Sequence, residues 1–291
     1  MPRLYRSEAA QAEVQQWCTE RLASWPIPHE TYRVETAEGL THVVGAGAGS
    51  TTVVYLPGTN FNAATSLRVL SAVAATCRVY AADLPGQPGL SAPVRQRAAP
   101  EMHESWLRQL LRALSLRRGG GVVLLGHSRG AHVALCADPA DVSGLALVNP
   151  AGLVKVAVDA GTLRTAVPWV VRPTKERSRA LLQLMSAPGY EPAPELVDWM
   201  FMVSAMCRTT GAPGPLPRRV TDRWRGSAVT VTTGERDRFF PAHRLELAAR
   251  ERLGCGIAVV PDAGHLSLEE QPSVVLHRAL APLVGYRDDS A

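Results

Sequence analysis

Between residues 51 and 148, short runs rich in Val, Leu and Ala alternate with segments of helical period, and few architectures accommodate that alternation. Thr51–Leu56 reads as a strand, Ala64–Thr76 as a helix, Val79–Ala82 as a strand and Glu101–Ser115 as a helix. Gly121–Gly126 (strand), Gly130–Ala137 (helix) and Leu145–Val148 (strand) continue the pattern. It resumes later with the strand Val229–Thr233, the helix Ala242–Arg252, the strand Ile257–Val260 and the helix Pro272–Leu283. Val122-Val123-Leu124-Leu125 is apolar at every position. Such a strand needs cover on both faces, as in a parallel sheet flanked by helices. Ahead of the alternation, Ala10, Val14, Trp17 and Leu22 recur at roughly helical spacing and predict an amphipathic helix from Ser7 to about Ser24. Trp25-Pro26-Ile27-Pro28 ends that helix, because proline cannot continue its hydrogen-bond ladder. Thr31–Glu35 and Thr41–Val44 then read as two short strands joined by a turn at Glu38-Gly39.

The alternation breaks off between 151 and 225, where periodicity weakens and eight prolines occur. So long a stretch is not a simple loop in a compact domain and must carry its own structure. The expectation is a core domain of 1–150 plus 226–291, with 151–225 inserted as a cap of short helices over the sheet's edge. The formal charge is +5, and of the 31 basic residues only Lys155 and Lys175 are lysines. That bias reads as GC-rich coding in a bacterial source. No basic run is interleaved with aromatics, so no nucleic-acid partner is expected. The inserted segment nevertheless holds 11 Lys or Arg against six Asp or Glu. No apolar run reaches the roughly 18–20 residues of a membrane span. The opening Met1-Pro2-Arg3-Leu4-Tyr5-Arg6-Ser7 lacks the apolar core of a secretion signal, which points to a cytoplasmic protein. Five scattered cysteines (Cys18, Cys77, Cys136, Cys207, Cys255) form no metal-like cluster and suit reduced thiols. No sequence feature specifies an oligomeric state.

The chemistry concentrates in Gly126-His127-Ser128-Arg129-Gly130, a G-x-S-x-G sequence that follows a buried strand and opens a helical segment. Glycines two places either side of the serine remove side chains that would collide in so sharp a turn. A serine hydroxyl needs a base to take its proton. His265, in the loop Pro261-Asp262-Ala263-Gly264-His265 past the last strand, is the candidate. Asp237, three residues after Gly234 at the end of the preceding strand, can orient that imidazole; Glu235 is its nearest competitor. An oxyanion would take backbone N–H groups from Arg129 and from the loop Pro57-Gly58-Thr59-Asn60-Phe61, with Thr59 the first choice and Asn60 the second.

Together these pieces resemble the α/β-hydrolase superfamily over nearly the whole chain, in its serine-nucleophile, carboxylesterase-like branch. Asp83-Leu84-Pro85-Gly86-Gln87-Pro88-Gly89-Leu90-Ser91 is similar to the D-x-P-G-x-G-x-S loop of that family. Gly264-His265, with Glu269 or Glu270 and Pro272, is similar to its G-H-x-x-x-x-E-x-P ending. Trp25-Pro26, Thr36, Gly39, Thr41-His42-Val43-Val44 and Gly47 resemble bacterial carboxylesterases of a naproxen-esterase-like subgroup. The resemblance implies an α/β-hydrolase fold, a mostly parallel central sheet flanked by helices with a helical cap, and no metal or organic cofactor. It implies ester hydrolysis through a Ser128 acyl-enzyme, with thioester or lactone hydrolysis close behind. A carbon–carbon bond hydrolase, a non-hydrolytic biosynthetic enzyme or a non-catalytic small-molecule-binding protein on the same scaffold are the alternatives. The chain departs from the pattern at Pro57, where many members carry histidine, which puts the detailed geometry of the oxyanion loop in question. Two expectations concern substrate. The Arg129 side chain can lean into the pocket and attract an anionic group, and the insertion's arginines can draw in acidic esters. Asn60 is expected to touch substrate.

Overall fold

A computed structural model describes residues 3–94, 99–116, 121–208 and 211–284. The ends of the expected core (residues 1–2 and 285–291) and residues 209–210 of the insertion lie outside the described residues. The chain opens with α1 (Glu8–Ala23), β1 (His29–Thr36), β2 (Gly39–Ala46), β3 (Thr52–Leu56), α2 (Leu67–Ala74) and β4 (Arg78–Ala82). α3 (Pro100–Ala113), β5 (Val122–His127), α4 (Arg129–Leu135) and β6 (Gly144–Val148) follow. Between β6 and the next strand come α5 (Ala160–Val171), α6 (Lys175–Met185), α7 (Pro194–Met206) and the single turn α8 (Arg218–Thr221). The chain closes with β7 (Val229–Gly234), α9 (Ala242–Arg252), β8 (Ala258–Val260), α10 (Ser267–Glu270) and α11 (Pro272–Val284).

All eight strands form one sheet in the order β1-β2-β4-β3-β5-β6-β7-β8. The pairs β1–β2 and β2–β4 are antiparallel, and every pair from β4 to β8 is parallel. Alternate residues of each strand serve two separate cores, as the period of two requires. Val53, Tyr55, Val123 and Leu125 face α1, α2, α11 and the helices α5–α7. Val54, Leu56, Val122 and Leu124 face α3, α4 and α9. Unbroken apolar strands are thus covered on both sides, as a parallel sheet demands.

Strand order reverses at β3: β4 lies on one side of it and β5 on the other. The loops leaving β3 and β5 therefore diverge around a crevice at the sheet's C-terminal edge, the place where ligands of such sheets bind. Differences from the sequence reading are local. α2 starts at Leu67 rather than Ala64, because Asn62 and Thr65 close a turn on each other: Thr65 N–H donates to Asn62 Oδ1 and Asn62 N–H to Thr65 Oγ1. Residues 267–270, just ahead of the expected final helix, form the short α10. Among the described residues no helix is long and apolar enough to cross a membrane.

Candidate active site

β5 ends in a sharp reversal. Ser128 takes φ 51°, a left-handed conformation uncommon for a residue with a side chain, and α4 begins at the next residue. The flanking glycines are there for space. A Cβ on Gly126 would stand 2.5 Å from Ala131 Cα, and one on Gly130 only 1.8 Å from the Leu56 carbonyl oxygen. Both obstacles are backbone, so nothing can rotate aside. Gly130→Ala is expected to cost about 4 kcal/mol or more, read as lost soluble protein or a collapsed thermal midpoint.

The turn lifts Ser128 toward two other strand ends. His265 Nε2 lies 3.0 Å from Ser128 Oγ, and His265 Nδ1 lies 2.9 Å from Asp237 Oδ2. Each of the three residues is at most 5% exposed. Asp237 Oδ1 accepts the N–H groups of Phe239 at 2.8 Å and Phe240 at 3.1 Å. Burial alone would push the Asp237 carboxyl up. The facing imidazole and the hydrogen bonds from His265, Asn149 and Phe240 outweigh it and hold the group below the usual carboxylate range. An ionised carboxylate only accepts, so Nδ1 carries the imidazole hydrogen and Nε2 presents its lone pair to the Ser128 hydroxyl. Glu235, the competing acid, is exposed and, among the described residues, pairs with the Asp262 N–H and Arg236 rather than with His265.

Two residues of this network had gone unrecognised in the sequence. Asn149, at the end of β6 with φ 45°, donates from Nδ2 to Asp237 Oδ2 at 2.8 Å and to the Gly264 carbonyl at 3.2 Å, while its Oδ1 accepts the Ser267 hydroxyl. Its partners lie 88, 115 and 118 residues away in the chain, so no local pattern marks it. His127 is the second. Its Nε2 lies 2.9 Å from the His265 carbonyl oxygen, while the other edge of the ring packs on Gly58, where a Cβ would stand 3.1 Å from Nδ1. Burial, reinforced by His265, pushes the His127 imidazole down to about 4, so it is neutral at physiological pH. As a neutral ring it donates Nε2–H to the carbonyl.

The two candidate glutamates after His265 separate clearly. Glu270 accepts the N–H of Gly264 at 2.9 Å and of Ala187 at 2.7 Å, tying the histidine loop to the insertion. The Met185 carbonyl adds to that tie by accepting His265 N–H at 2.7 Å. Glu269 faces a small recess beside α1 and α7 instead.

The loop after β3 holds its shape without a histidine at position 57. Asn60 N–H donates to Gln87 Oε1 at 3.0 Å, Trp199 Nε1–H to the Asn60 carbonyl at 2.7 Å, and Phe61 N–H to the Gly58 carbonyl at 3.1 Å. The Thr59 N–H has no acceptor within the described protein, whereas that of Asn60 is taken. Asn60 lines the cavity beside Ser128, and its Oδ1 is buried with no hydrogen-bond partner among the described residues. The Arg129 side chain departs from expectation. Its Nε donates to Thr59 Oγ1 at 3.1 Å and its Nη2 to the Gly211 carbonyl at 2.7 Å, so the guanidinium braces two loops instead of entering the pocket.

The cavity over Ser128 measures about 340 Å³. Trp169, Leu181, Met185 and Met200, from the helices between β6 and β7, line it together with Phe239 and Phe240, whose rings also pack against His265. Among the described residues no Lys, Arg, Asp or Glu lines it. Nor do the described residues gather three or more His, Cys, Asp or Glu side chains that could hold a metal ion.

The same conclusion about kinship comes from comparison. The model of the alpha/beta hydrolase family matches residues 53–279. Among solved structures, carboxylesterase CesB (YbfK) from Bacillus subtilis superposes with a TM-score of 0.78 at 20% identity, covering 96% of this chain and 100% of that one. Naproxen esterase (carboxylesterase NP) from Bacillus subtilis superposes with a TM-score of 0.75 at 19% identity, covering 95% and 98%. At such identity the likeness speaks for the fold. No curated protein sequence matches the chain. With the match running from β3 into α11 and leaving out only α1, β1, β2 and the ends of the chain, the chain belongs to the alpha/beta hydrolase family.

Proposed function

We propose that this protein is a serine hydrolase that cleaves neutral carboxylic esters through a Ser128 acyl-enzyme. One observation carries the reading: a buried hydrogen-bond chain from Asp237 through His265 to Ser128 Oγ, ending in an apolar cavity. In the reaction His265 Nε2 takes the hydroxyl proton as Ser128 Oγ bonds to the ester carbonyl carbon, and the carbonyl electron pair moves onto oxygen. The Thr59 and Arg129 backbone N–H groups face that oxyanion. Collapse re-forms the carbonyl and breaks the bond to the alkoxy oxygen, which takes the proton from the imidazolium and leaves as an alcohol. Water then gives a proton to His265 and attacks the acyl carbon, and Ser128 departs with that proton. Asp237 stays ionised throughout and stabilises the imidazolium. Thioesters and lactones fit the same steps. The segment 151–225 acts as the cap that shapes the acyl site.

The absence of charged side chains among the described lining favours neutral esters over anionic ones, and Asn60 supplies the polar contact. A series of p-nitrophenyl esters of rising chain length, compared with esters of equal length ending in a carboxylate, tests this. Neutral medium-length chains should be turned over fastest. Failure on every ester and thioester would sink the reading. Arg129→Leu is expected to lower kcat/KM roughly tenfold, for neutral and anionic esters alike, by releasing a charge-assisted brace between loops. A loss confined to anionic esters would return Arg129 to the role of substrate ligand.

A further inference from the structure

Of the eight exposed large apolar side chains among the described residues, five fall between 158 and 171. Leu163, Val167, Val170 and Val171 stand at i, i+4, i+7 and i+8 on α5 and so share one side of that helix. Val171 is 68% exposed and Leu163 53%. The opposite side packs on the protein. Trp169 is buried and donates to Ser178 Oγ and the Met200 carbonyl, and Ala166 packs on the core. A surface helix with one buried face normally turns charged or polar residues outward. This one turns valine and leucine outward, which calls for a second apolar phase.

Two observations say what that phase is. The stripe is rimmed by cations: Arg164 beside Leu163, Arg172 after Val171, and Lys155 upstream. All three are exposed, and none makes an ion pair among the described residues. The acid at the helix N-cap, Asp159, is taken by Arg238 at 2.7 Å and by the Thr162 N–H. The stripe is also continuous with the cavity, because Val158 is 52% exposed and at the same time lines the space over Ser128. A protein seated there would cover the entrance. A lipid phase would instead deliver apolar molecules to it.

We infer that α5 seats the protein on an anionic lipid surface. Leu163, Val167, Val170 and Val171 enter the boundary between headgroups and acyl chains, and Lys155, Arg164 and Arg172 meet lipid phosphates. The substrates would then be apolar esters dissolved in that surface. This last point rests on the hydrolase reading, but the binding does not.

Co-sedimentation with phosphatidylglycerol-containing vesicles and with pure phosphatidylcholine vesicles tests the inference. Wild-type protein should bind the anionic vesicles at least tenfold more strongly than the neutral ones. Leu163→Ser, Val167→Ser and Val171→Ser combined should weaken that binding at least tenfold, while circular dichroism and turnover of a soluble acetate ester stay unchanged. Arg164→Gln with Arg172→Gln should erase the preference for anionic lipid. Ser128→Ala should bind vesicles like wild type, so loss of binding and loss of hydrolysis are read separately. Wild-type protein that stays in the supernatant with both vesicle types overturns the inference. So does a dimer in sedimentation velocity that the triple serine variant converts to monomers, since a second copy would then be what covers the stripe.

Discussion

Replacing Ser128 by alanine is expected to lower ester turnover about 10⁵- to 10⁶-fold while leaving the fold intact. The substitution removes only Oγ. The left-handed backbone at φ 51° is already occupied by a residue with a Cβ, so alanine adds no new strain. The lost hydrogen bond to His265 is a small part of the stability of the buried sheet around it. What disappears is the proposed nucleophile. What remains is the cavity and the backbone donors, which support a small residual rate with water as the attacking group. A thermal midpoint within a few degrees of wild type separates this from unfolding. A variant that kept turnover within tenfold would remove Ser128 from the reaction.

Asp237→Asn is expected to cost about 10⁴-fold in kcat, and stability as well. Every acceptor site on the carboxylate is in use: Oδ2 takes His265 Nδ1–H and Asn149 Nδ2–H, and Oδ1 takes the N–H groups of Phe239 and Phe240. An asparagine amide must place its NH₂ on one of these sides. On the Oδ2 side it faces two donors and forces the imidazole into the tautomer that cannot accept the Ser128 proton. On the Oδ1 side it loses two backbone bonds in the turn that carries the residue. Each buried group left unpaired costs about 1–3 kcal/mol. The pH dependence has a definite sign. The folded carboxyl is depressed, so its contribution is present above the unfolded value of about 3.9 and is lost as pH falls through the folded value. The stability gap between wild type and Asp237→Asn should therefore be widest near neutrality and close on strong acidification. A gap that widened with acid would contradict this description of the site.

Legibility in the sequence followed how local each signal was. The elbow was readable because G-x-S-x-G sits between an apolar strand and a helix, and steric need for both glycines lies within five residues. His265 and Asp237 were readable as residues just past strand ends, where the topology gathers side chains. Asn149 was not, because its partners Asp237, Gly264 and Ser267 are 88 or more residues away and no local pattern announces them. Arg129 was located but its direction was not, since its acceptors come from the loop after β3 and from Gly211. The choice between Glu269 and Glu270 needed the position of Ala187, which only the packed insertion supplies. The insertion itself had weak periodicity for a physical reason. α5 carries apolar residues on its exposed side as well as its buried one, with Arg164 its single charge, and so gives little amphipathic rhythm to read.

The central claim is that His265 and Asp237 activate the Ser128 hydroxyl. Labelling with a fluorophosphonate probe, followed by mass spectrometry of the modified peptide, tests it most directly. Stoichiometric phosphonylation is expected on Ser128 Oγ, abolished in Ser128→Ala and slowed by orders of magnitude in His265→Ala and Asp237→Asn. Folded wild-type protein that takes no label, or a label found on another residue, would contradict it.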